Sequence, residues 1–189
     1  MKGIMFRPAM NLAIRENRKP ETRRIELCLA EINKEPDAFL FRGMNKGVAQ
    51  FSHNGGNIYW SVKPRYQVGE TVYVKEAWAY GAKDQHPTGV IYRLDGTQLP
   101  TALQRGTYSV RSAWGKWASS LFMPQEAART FIKILDVKPQ RLKTMTPADA
   151  VAEGFNSLID FVAYYASQMH LDAWERNDWA IAYKFEMIK

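Results

Sequence analysis

The chain has 189 residues, 46% of them hydrophobic, and a formal net charge of +7. This length predicts one domain with its own core, and the excess of Lys and Arg favours an anionic partner such as nucleic acid. The single cysteine, Cys28, excludes an internal disulfide, and the three histidines lack metal-ligand spacing, so we expect no metal and no cofactor.

Membrane association is not expected. The N-terminal sequence MKGIMFRPAMNLAIRENR lacks the apolar region and the small-residue cleavage site of a signal peptide. No run of about 18 apolar residues, the length that crosses a bilayer as a helix, occurs along the chain. We therefore expect a cytoplasmic protein without a membrane partner.

The first third of the chain is predicted to begin with a strand and a helix. GIMF is a short strand, and Pro8 fits the first turn of an amphipathic helix of about two to three turns, which Pro20 is expected to end. Residues 21 to 29 fit either a strand or a helix. Residues 33 to 60, with several glycines, are predicted to be an irregular insertion with one hairpin.

A strand dominates the middle of the chain. In RYQVGETVYVKEAWAY, residues 65 to 80, a turn at VGE precedes an alternation in which Val72 and Val74 share one face. Residues 81 to 115 are rich in loop signals. Within them GVIYRLDG is predicted to be a strand that ends in a turn at Asp95-Gly96.

The last third combines helices and strands. ARTFIKILDVKPQRL is predicted to be a long strand that Pro139 ends, and DWAIAYKFEMI an alternating closing strand. TPADAVAEGF is a capped helix: Thr146 is the N-cap, Pro147 the first helical residue, Asp149 the capping-box partner and Gly154 the C-cap. LIDFVAYYASQM is a second amphipathic helix.

The order of these elements predicts the fold class. A strand lies near each terminus and helices separate blocks of strands, which does not fit a parallel βαβ series. We expect an α+β fold, a mostly antiparallel β-barrel with flanking helices. It would form a single domain over residues 1–189, with insertions at about 33–60 and 81–115.

Four stretches together resemble a known family. RKPETRR, VGETVYVKEAW, ILDVKPQRLKTMTPADAVAEGF and WAIAYKFEMI are similar in order and spacing to the ASCH family of PUA-like barrels, in particular its longer phage and prophage members. The resemblance implies a PUA-like barrel with a cleft for RNA or a modified nucleoside. The protein would then act in the host cytoplasm if it is phage-encoded. Small bacterial members are amidohydrolases that remove acetyl from 4-acetylcytidine.

The resemblance implies three catalytic residues. The small enzymes use a Lys and a Thr three residues apart in an RK-x-x-T run, and a Glu from an A-x-x-E helix, which match Lys19, Thr22 and Glu153. Amide hydrolysis needs a nucleophile, a base and donors for the oxyanion. Thr22 would be the nucleophile, and a partly desolvated Lys19 would accept its proton. Glu153 would hold Lys19 or activate water, and the residues leave open which group is the base.

These three residues also have a purely structural interpretation. Thr22 would begin a strand, Lys19 would complement the negative end of the preceding helix, and Glu153 would be a solvated residue before a C-cap.

Three further cations are candidates for phosphate contact: Arg18, Arg23 and Arg24. In a strand, Arg23 and Arg24 point in opposite directions, so one would face a cleft and the other solvent or a phosphate. The alternative is that all three only make the surface soluble.

Glu76 and Trp78 would share a face of their strand with the two valines. Glu76 would accept a hydrogen bond from an exocyclic amine of a base, and Trp78 would stack on it. The alternative is that Glu76 forms a buried ion pair with Arg23 or Lys19 and that Trp78 belongs to the core.

WGKWASSLFMPQEAAR, residues 114 to 129, mixes aromatic and cationic side chains in Trp114, Lys116, Trp117 and Arg129. Single-stranded nucleic acid favours this mixture, and Trp117 and Arg129 are the candidate ligand-binding residues. The same mixture also fits an ordinary packed loop.

We therefore expect a protein that binds RNA or a modified nucleoside in a cleft formed by Lys19, Thr22, Arg23, Glu76 and Glu153. One alternative is an amidohydrolase acting on a linear amide of an acylated cytidine. Another is a phage protein that contacts a host protein. The sequence does not determine the oligomeric state.

Overall fold

The computed structural model describes residues 1–54, 56, 59–83, 86–99, 117–167 and 171–188. These residues form a mixed α+β fold with strands in three sheets, so the expected α+β class is confirmed. No closed barrel is present among them. Nor does this part of the chain contain a helix long and apolar enough to cross a membrane.

The chain forms two compact units. Unit 1 comprises Met1–Glu16, Thr71–Ile132 and Met187–Lys189, and unit 2 comprises Asn17–Glu70 and Lys133–Glu186. The expectation of a single domain over residues 1–189 stays a prediction.

The strands and helices are, in chain order, β1 (Gly3–Met5), α1 (Pro8–Arg15), β2 (Glu21–Arg24), β3 (Phe39–Asn45), β4 (Val48–His53), β5 (Tyr59–Val62), β6 (Thr71–Lys75), β7 (Trp78–Lys83), β8 (His86–Tyr92), β9 (Gln98–Leu99), β10 (Phe131–Arg141), α2 (Pro147–Ala152), α3 (Leu158–Tyr165), α4 (Leu171–Glu175) and β11 (Trp179–Met187).

In unit 1, β1 pairs with β6 in parallel, and the buried side chains of Ile4 and Val74 lie opposite each other. The predicted first strand and the helix starting at Pro8 are confirmed. The helix ends at Arg15, well before Pro20, because Asn17 adopts a left-handed conformation with φ of +56°.

The middle strand of unit 1 is shorter than its alternation predicts. β6 ends at Lys75, so Glu76 lies in a connection and Trp78 begins the separate strand β7; the expectation that both share one strand is wrong. β7, β8 and β9 form an antiparallel sheet. The predicted turn at Asp95-Gly96 is confirmed, and Gly96 has the positive φ of +69° that favours glycine.

In unit 2, the described residues of the segment predicted to be irregular, 33 to 60, form regular secondary structure. Two 3-10 turns precede β3, β4 and β5, which form an antiparallel three-stranded sheet in place of the single expected hairpin. Phe51 of β4 packs edge-to-face on Trp179 at 5.1 Å, which gives this sheet a buried side. Residues 21 to 29 contain β2 and then a 3-10 turn at Leu27–Leu29.

The long strand β10 continues through Pro139 to Arg141, so the expected end at Pro139 is wrong. Leu135 and Asp136 are both exposed, which shifts the alternation of buried residues by one position. β11 pairs with β2 in antiparallel fashion. Its first five residues are all buried, where clean alternation was expected.

The capped helix predicted after this strand is confirmed as α2. The second amphipathic helix is confirmed as α3, while residues 168 and 169 of the predicted segment lie outside the described residues.

Candidate functional site

A buried ion pair in unit 2 joins two residues that are 134 positions apart. Lys19 lies just before β2, and Glu153 lies just after α2. The Lys19 ammonium donates to Glu153 Oε2 at 2.6 Å and to the Glu153 main-chain carbonyl at 2.5 Å. Lys19 is 1% exposed and Glu153 3% exposed. The structure therefore brings two of the three candidate catalytic residues into direct contact.

The sequence around α2 explains the position of Glu153. The Thr146 hydroxyl accepts from the Asp149 amide, and the Asp149 carboxylate accepts from the Thr146 amide, a capping box that begins the helix. Gly154 has φ of +89°, a left-handed conformation that ends it. Glu153 thus stands at the helix end, where carbonyls lack partners within the helix, and the Lys19 ammonium supplies one.

Arg23 extends the contacts of this pair. Its Nη1 lies 3.4 Å from Glu153 Oε1, and its Nη2 lies 3.0 Å from Asp149 Oδ1. Its Nε and Nη2 donate to Gln140 Oε1 at 3.2 and 3.0 Å. Glu21 Oε1 lies 3.1 Å from Arg23 Nη2 but is not aligned for a hydrogen bond. We call these six residues the Lys19 cluster: Lys19, Glu21, Arg23, Gln140, Asp149 and Glu153.

Burial shifts the proton affinities of the cluster. It lowers the pKa of the Lys19 ammonium below its usual value, although the charge and hydrogen bond of Glu153 act in the opposite direction. Burial also raises the pKa of the Glu21 carboxyl, and Asp149 and Glu153 add to the rise against the effect of Arg23. For Asp149, burial is outweighed by hydrogen bonds from Thr146 and by Arg23, which together lower the carboxyl pKa.

The Lys19 cluster does not attract anions. Two cations, Lys19 and Arg23, face three carboxyl groups, and the cluster comes close to neutrality when Glu21 holds a proton. The Arg23 guanidinium already contacts all three acids, so it is not available to a phosphate. The arrangement suits a neutral group that needs both donors and acceptors.

The remaining candidates of this region lie outside the cluster. Thr22 is buried in β2 opposite Tyr183 of β11, and it is not a member of the ion-pair network. Arg18 is exposed. Arg24 is half-buried and lines a cavity of about 380 Å³.

In unit 1, Glu76 belongs to a second network. Arg129 binds Glu76 with two parallel hydrogen bonds, Nε to Oε1 at 3.0 Å and Nη2 to Oε2 at 2.7 Å. Its Nη1 donates to both Asp95 oxygens, and Arg15 donates to Asp95 Oδ2 at 2.6 Å. The Arg129 guanidinium lies 3.9 Å from the ring centroid of Tyr92. Glu76 therefore forms its buried ion pair with Arg129, a residue of the same unit. The expected partners, Arg23 and Lys19, do not belong to this pair.

Two tryptophans of unit 1 differ in position. Trp78 is fully buried in a core cluster, and its ring centroid lies 5.0 Å from that of Tyr80. Its ring therefore has no free face on which a base could stack, and Trp78 is a core residue. Trp117 is 47% exposed. Trp114 and Lys116 lie outside the described residues. The Arg129 guanidinium forms ion pairs with Glu76 and Asp95, which agrees with the alternative of an ordinary packed loop.

Sequence reasoning missed several residues that the structure makes prominent. Gln140 accepts from Arg23, and Asp95 joins Arg15 to Arg129; no local pattern indicates either contact. Lys63 and Arg65 line the cavity with Arg24. Their signal is visible in the sequence YWSVKPRY, residues 59–66, where aromatic and cationic side chains mix.

No family model, no curated protein and no solved structure matches this chain.

Proposed function

We propose that the chain is an ASCH-type protein with a PUA-like fold, and that unit 2 binds RNA or a modified nucleoside at the Lys19 cluster. It would act in the cytoplasm, in that of the host if the chain is phage-encoded. The observation that carries the proposal is the contact between Lys19 and Glu153. The family pattern places both residues in one functional site, and here the Lys19 ammonium lies 2.6 Å from Glu153 Oε2 although the two residues are 134 positions apart.

The chemistry of the cluster supports a polar, uncharged ligand. Desolvated ionisable groups with shifted pKa values concentrate at functional sites, and Lys19 is such a group. Cations that face carboxyl groups in near balance offer hydrogen-bond donors and acceptors without a net field. The edge of a nucleobase needs this combination, whereas a phosphate needs an excess of cations.

Burial adds a condition to binding. Lys19 and Glu153 are almost inaccessible, so a ligand reaches them only after a local opening of the site. The apparent affinity is then reduced by the fraction of molecules that are open.

A second function is supported by one observation. Burial lowers the pKa of Lys19, which favours the neutral amine that can accept a proton. An amidohydrolase acting on 4-acetylcytidine-like nucleosides would use this amine together with Thr22, or with water held by Glu153. Binding ranks first because Thr22 stands outside the network of contacts.

The test compares the wild-type protein with Lys19→Met and Glu153→Gln. A panel of modified nucleosides, including 4-acetylcytidine, and short RNAs is incubated with each, and binding and product mass are measured. The Gln variant keeps the size of the acid and its ability to accept from Lys19, so it reports on charge if Lys19→Met unfolds. Lys138→Met, which removes an exposed cation of the same unit, is the matched control.

We expect the control to bind as the wild type does and both cluster variants to bind weakly. Release of acetate from 4-acetylcytidine, lost in Thr22→Val, would favour the hydrolase. Equal binding by wild type, Lys19→Met and Glu153→Gln would overturn the proposed site.

A further inference from the structure

The segment YWSVKPRY, residues 59–66, mixes exposed aromatic rings with cations in unit 2. Tyr59 and Trp60 lie on β5, which is an edge strand of the β3-β4-β5 sheet. Tyr59 is 65% exposed and Trp60 39% exposed. The Trp60 ring packs edge-to-face against Phe39 at 5.8 Å, which holds it in place while part of it faces solvent.

Cations gather directly after this strand. Lys63, Arg65 and Arg24 line the cavity of about 380 Å³, and the buried ring of Tyr66 also lines it. A volume of this size lies in the range of small-ligand sites, roughly 300 to 1,000 Å³.

One carboxylate, Glu26, also lines this cavity, and it is occupied. Its Oε1 accepts from the Tyr183 hydroxyl at 2.6 Å, and its Oε2 accepts from the Arg65 main-chain amide at 2.9 Å. The lining of the cavity thus contains three cationic side chains and one carboxylate, and that carboxylate is hydrogen-bonded. Burial lowers the pKa of the Arg24 guanidinium, even though Tyr66, Glu153 and Glu26 act to raise it. An anion in the cavity would be stabilised by this excess of positive charge.

The aromatic rings and the cations are close along the chain. Trp60 and Lys63 are three positions apart in the chain, a span of at most about 11 Å for extended backbone. A flexible polymer that places an anionic group in the cavity can thus lay a neighbouring flat group on Trp60 or Tyr59.

We infer that residues 59–66, together with Arg24, bind a single-stranded nucleic acid, with a phosphate in the cavity and a base stacked on Tyr59 or Trp60, whose side chains lie on opposite faces of β5. Stacking platforms beside a positively charged groove are the general means of holding single strands. A double helix hides the faces of its bases, so it would contact the cations without using the rings. The inference deepens the proposed function and rests on it for RNA as the natural polymer.

The Lys19 cluster and the cavity beside β5 differ in charge, so they suit different parts of a nucleic acid. The Lys19 cluster, with two cations and three carboxyl groups, has no excess of cations and suits a base, while the cavity lined by Arg24, Lys63 and Arg65 has the excess of cations that a backbone needs. The purpose of the insertion at residues 33 to 60 follows, because its sheet presents Tyr59 and Trp60.

The experiment measures fluorescence anisotropy of a labelled, short single-stranded RNA, with the matching DNA strand and an RNA duplex as further probes. Salt is varied between about 50 and 200 mM, the range over which phosphate contacts lose affinity steeply. The full-length wild type is compared with two double variants, Lys63→Gln/Arg65→Gln and Tyr59→Leu/Trp60→Leu. The matched control, Lys133→Gln/Lys138→Gln, removes two exposed cations of β10 in the same unit.

We expect the Lys63/Arg65 variant to reduce the slope of log affinity against log salt by about 0.7, since one phosphate contact with a single strand contributes about that much. The Tyr59/Trp60 variant should bind about tenfold more weakly with an unchanged slope, because a stacked base is worth roughly one factor of ten or more. The control should retain the wild-type slope and affinity.

The outcomes separate this inference from the proposed function. Single-strand binding that neither double variant weakens, duplex binding as tight as single-strand binding, or binding of free nucleosides without oligonucleotides would each overturn the inference and leave the Lys19 site standing. Loss of oligonucleotide binding in both double variants, with the Lys19→Met and Glu153→Gln variants binding as the wild type does, would support the inference and overturn that site. Absence of all binding would overturn both.

Discussion

Lys19 binds two oxygens of Glu153, the carboxylate Oε2 at 2.6 Å and the main-chain carbonyl at 2.5 Å. The first contact neutralises a buried acid, and the second satisfies a carbonyl at the end of α2. The Lys19 ammonium thus connects the segment that precedes β2 with the C-terminal end of α2, which is far away along the chain. The candidate ligand site and the anchoring of α2 depend on the same atoms.

The first prediction concerns this pair. Lys19→Met should destabilise unit 2 by about 3–5 kcal/mol, because it leaves the buried Glu153 carboxylate without its ammonium. The measurement is urea unfolding followed by circular dichroism. Lys19→Met/Glu153→Leu should recover much of the loss, since both charges are then removed, while Lys138→Met should stay within about 0.5 kcal/mol of the wild type. A double variant less stable than Lys19→Met would show that the carboxylate is not the source of the cost.

The second prediction compares two arginines of one network in unit 1. Arg129→Met should cost about 3–5 kcal/mol, because Glu76 is 2% exposed and would be left buried and charged. Arg15→Gln should cost no more than about 1 kcal/mol, since the Arg15–Asp95 pair is about a third exposed, with side-chain values of 33% and 30%. Thermal unfolding of both variants gives the comparison. Equal losses would mean that burial does not govern this network.

Local chemistry made part of the fold predictable. The Thr146–Asp149 capping box and Gly154 fix both ends of α2 within a few residues of sequence, and the structure has them as expected. The turn at Asp95-Gly96 was predictable for the same reason, since a glycine there adopts a positive φ at low cost.

Contacts distant in sequence were not predictable in this way. Glu76 and Arg129 are 53 positions apart, and neither alternation nor charge selects that pair over Glu76 with Lys19 or Arg23. Pro139 illustrates a second limit: a proline is expected to end a strand, but β10 continues through it to Arg141. The contact of Lys19 with Glu153 was indicated by family resemblance, not by any local rule.

The third prediction concerns pH. Because burial raises the folded pKa of Glu21 above its unfolded value of about 4.3, the folded state retains a proton that the unfolded state releases. Stability is therefore lost as the pH rises from about 4.3 through the folded pKa. Glu21→Gln removes this loss, so it should be more stable than the wild type at about pH 8. Each unit of the raised pKa is worth about 1.4 kcal/mol.

At a pH below about 4 the Gln variant and the wild type should have the same stability, since both side chains are then neutral. Urea midpoints at the two pH values measure the difference. Glu31→Gln is the control, because it makes the same substitution at a side chain that is 58% exposed. A Glu21→Gln variant that is less stable than the wild type at about pH 8 would mean that the ion pair with Arg23 outweighs burial.

The fourth prediction uses the single cysteine. Cys28 is exposed at the surface, but partial desolvation of its thiol, with added effects of the Glu26 charge and hydrogen bond, raises the thiol pKa from 9.0 to about 11. At about pH 8 this lowers the thiolate fraction about a hundredfold, while the greater nucleophilicity of a more basic thiolate returns roughly tenfold. Native protein should therefore react with the disulfide reagent DTNB about tenfold more slowly than protein unfolded in urea. Glu26→Gln should speed the native reaction and move its pH midpoint downward, whereas an unchanged midpoint would show that limited access, and not proton affinity, protects the thiol.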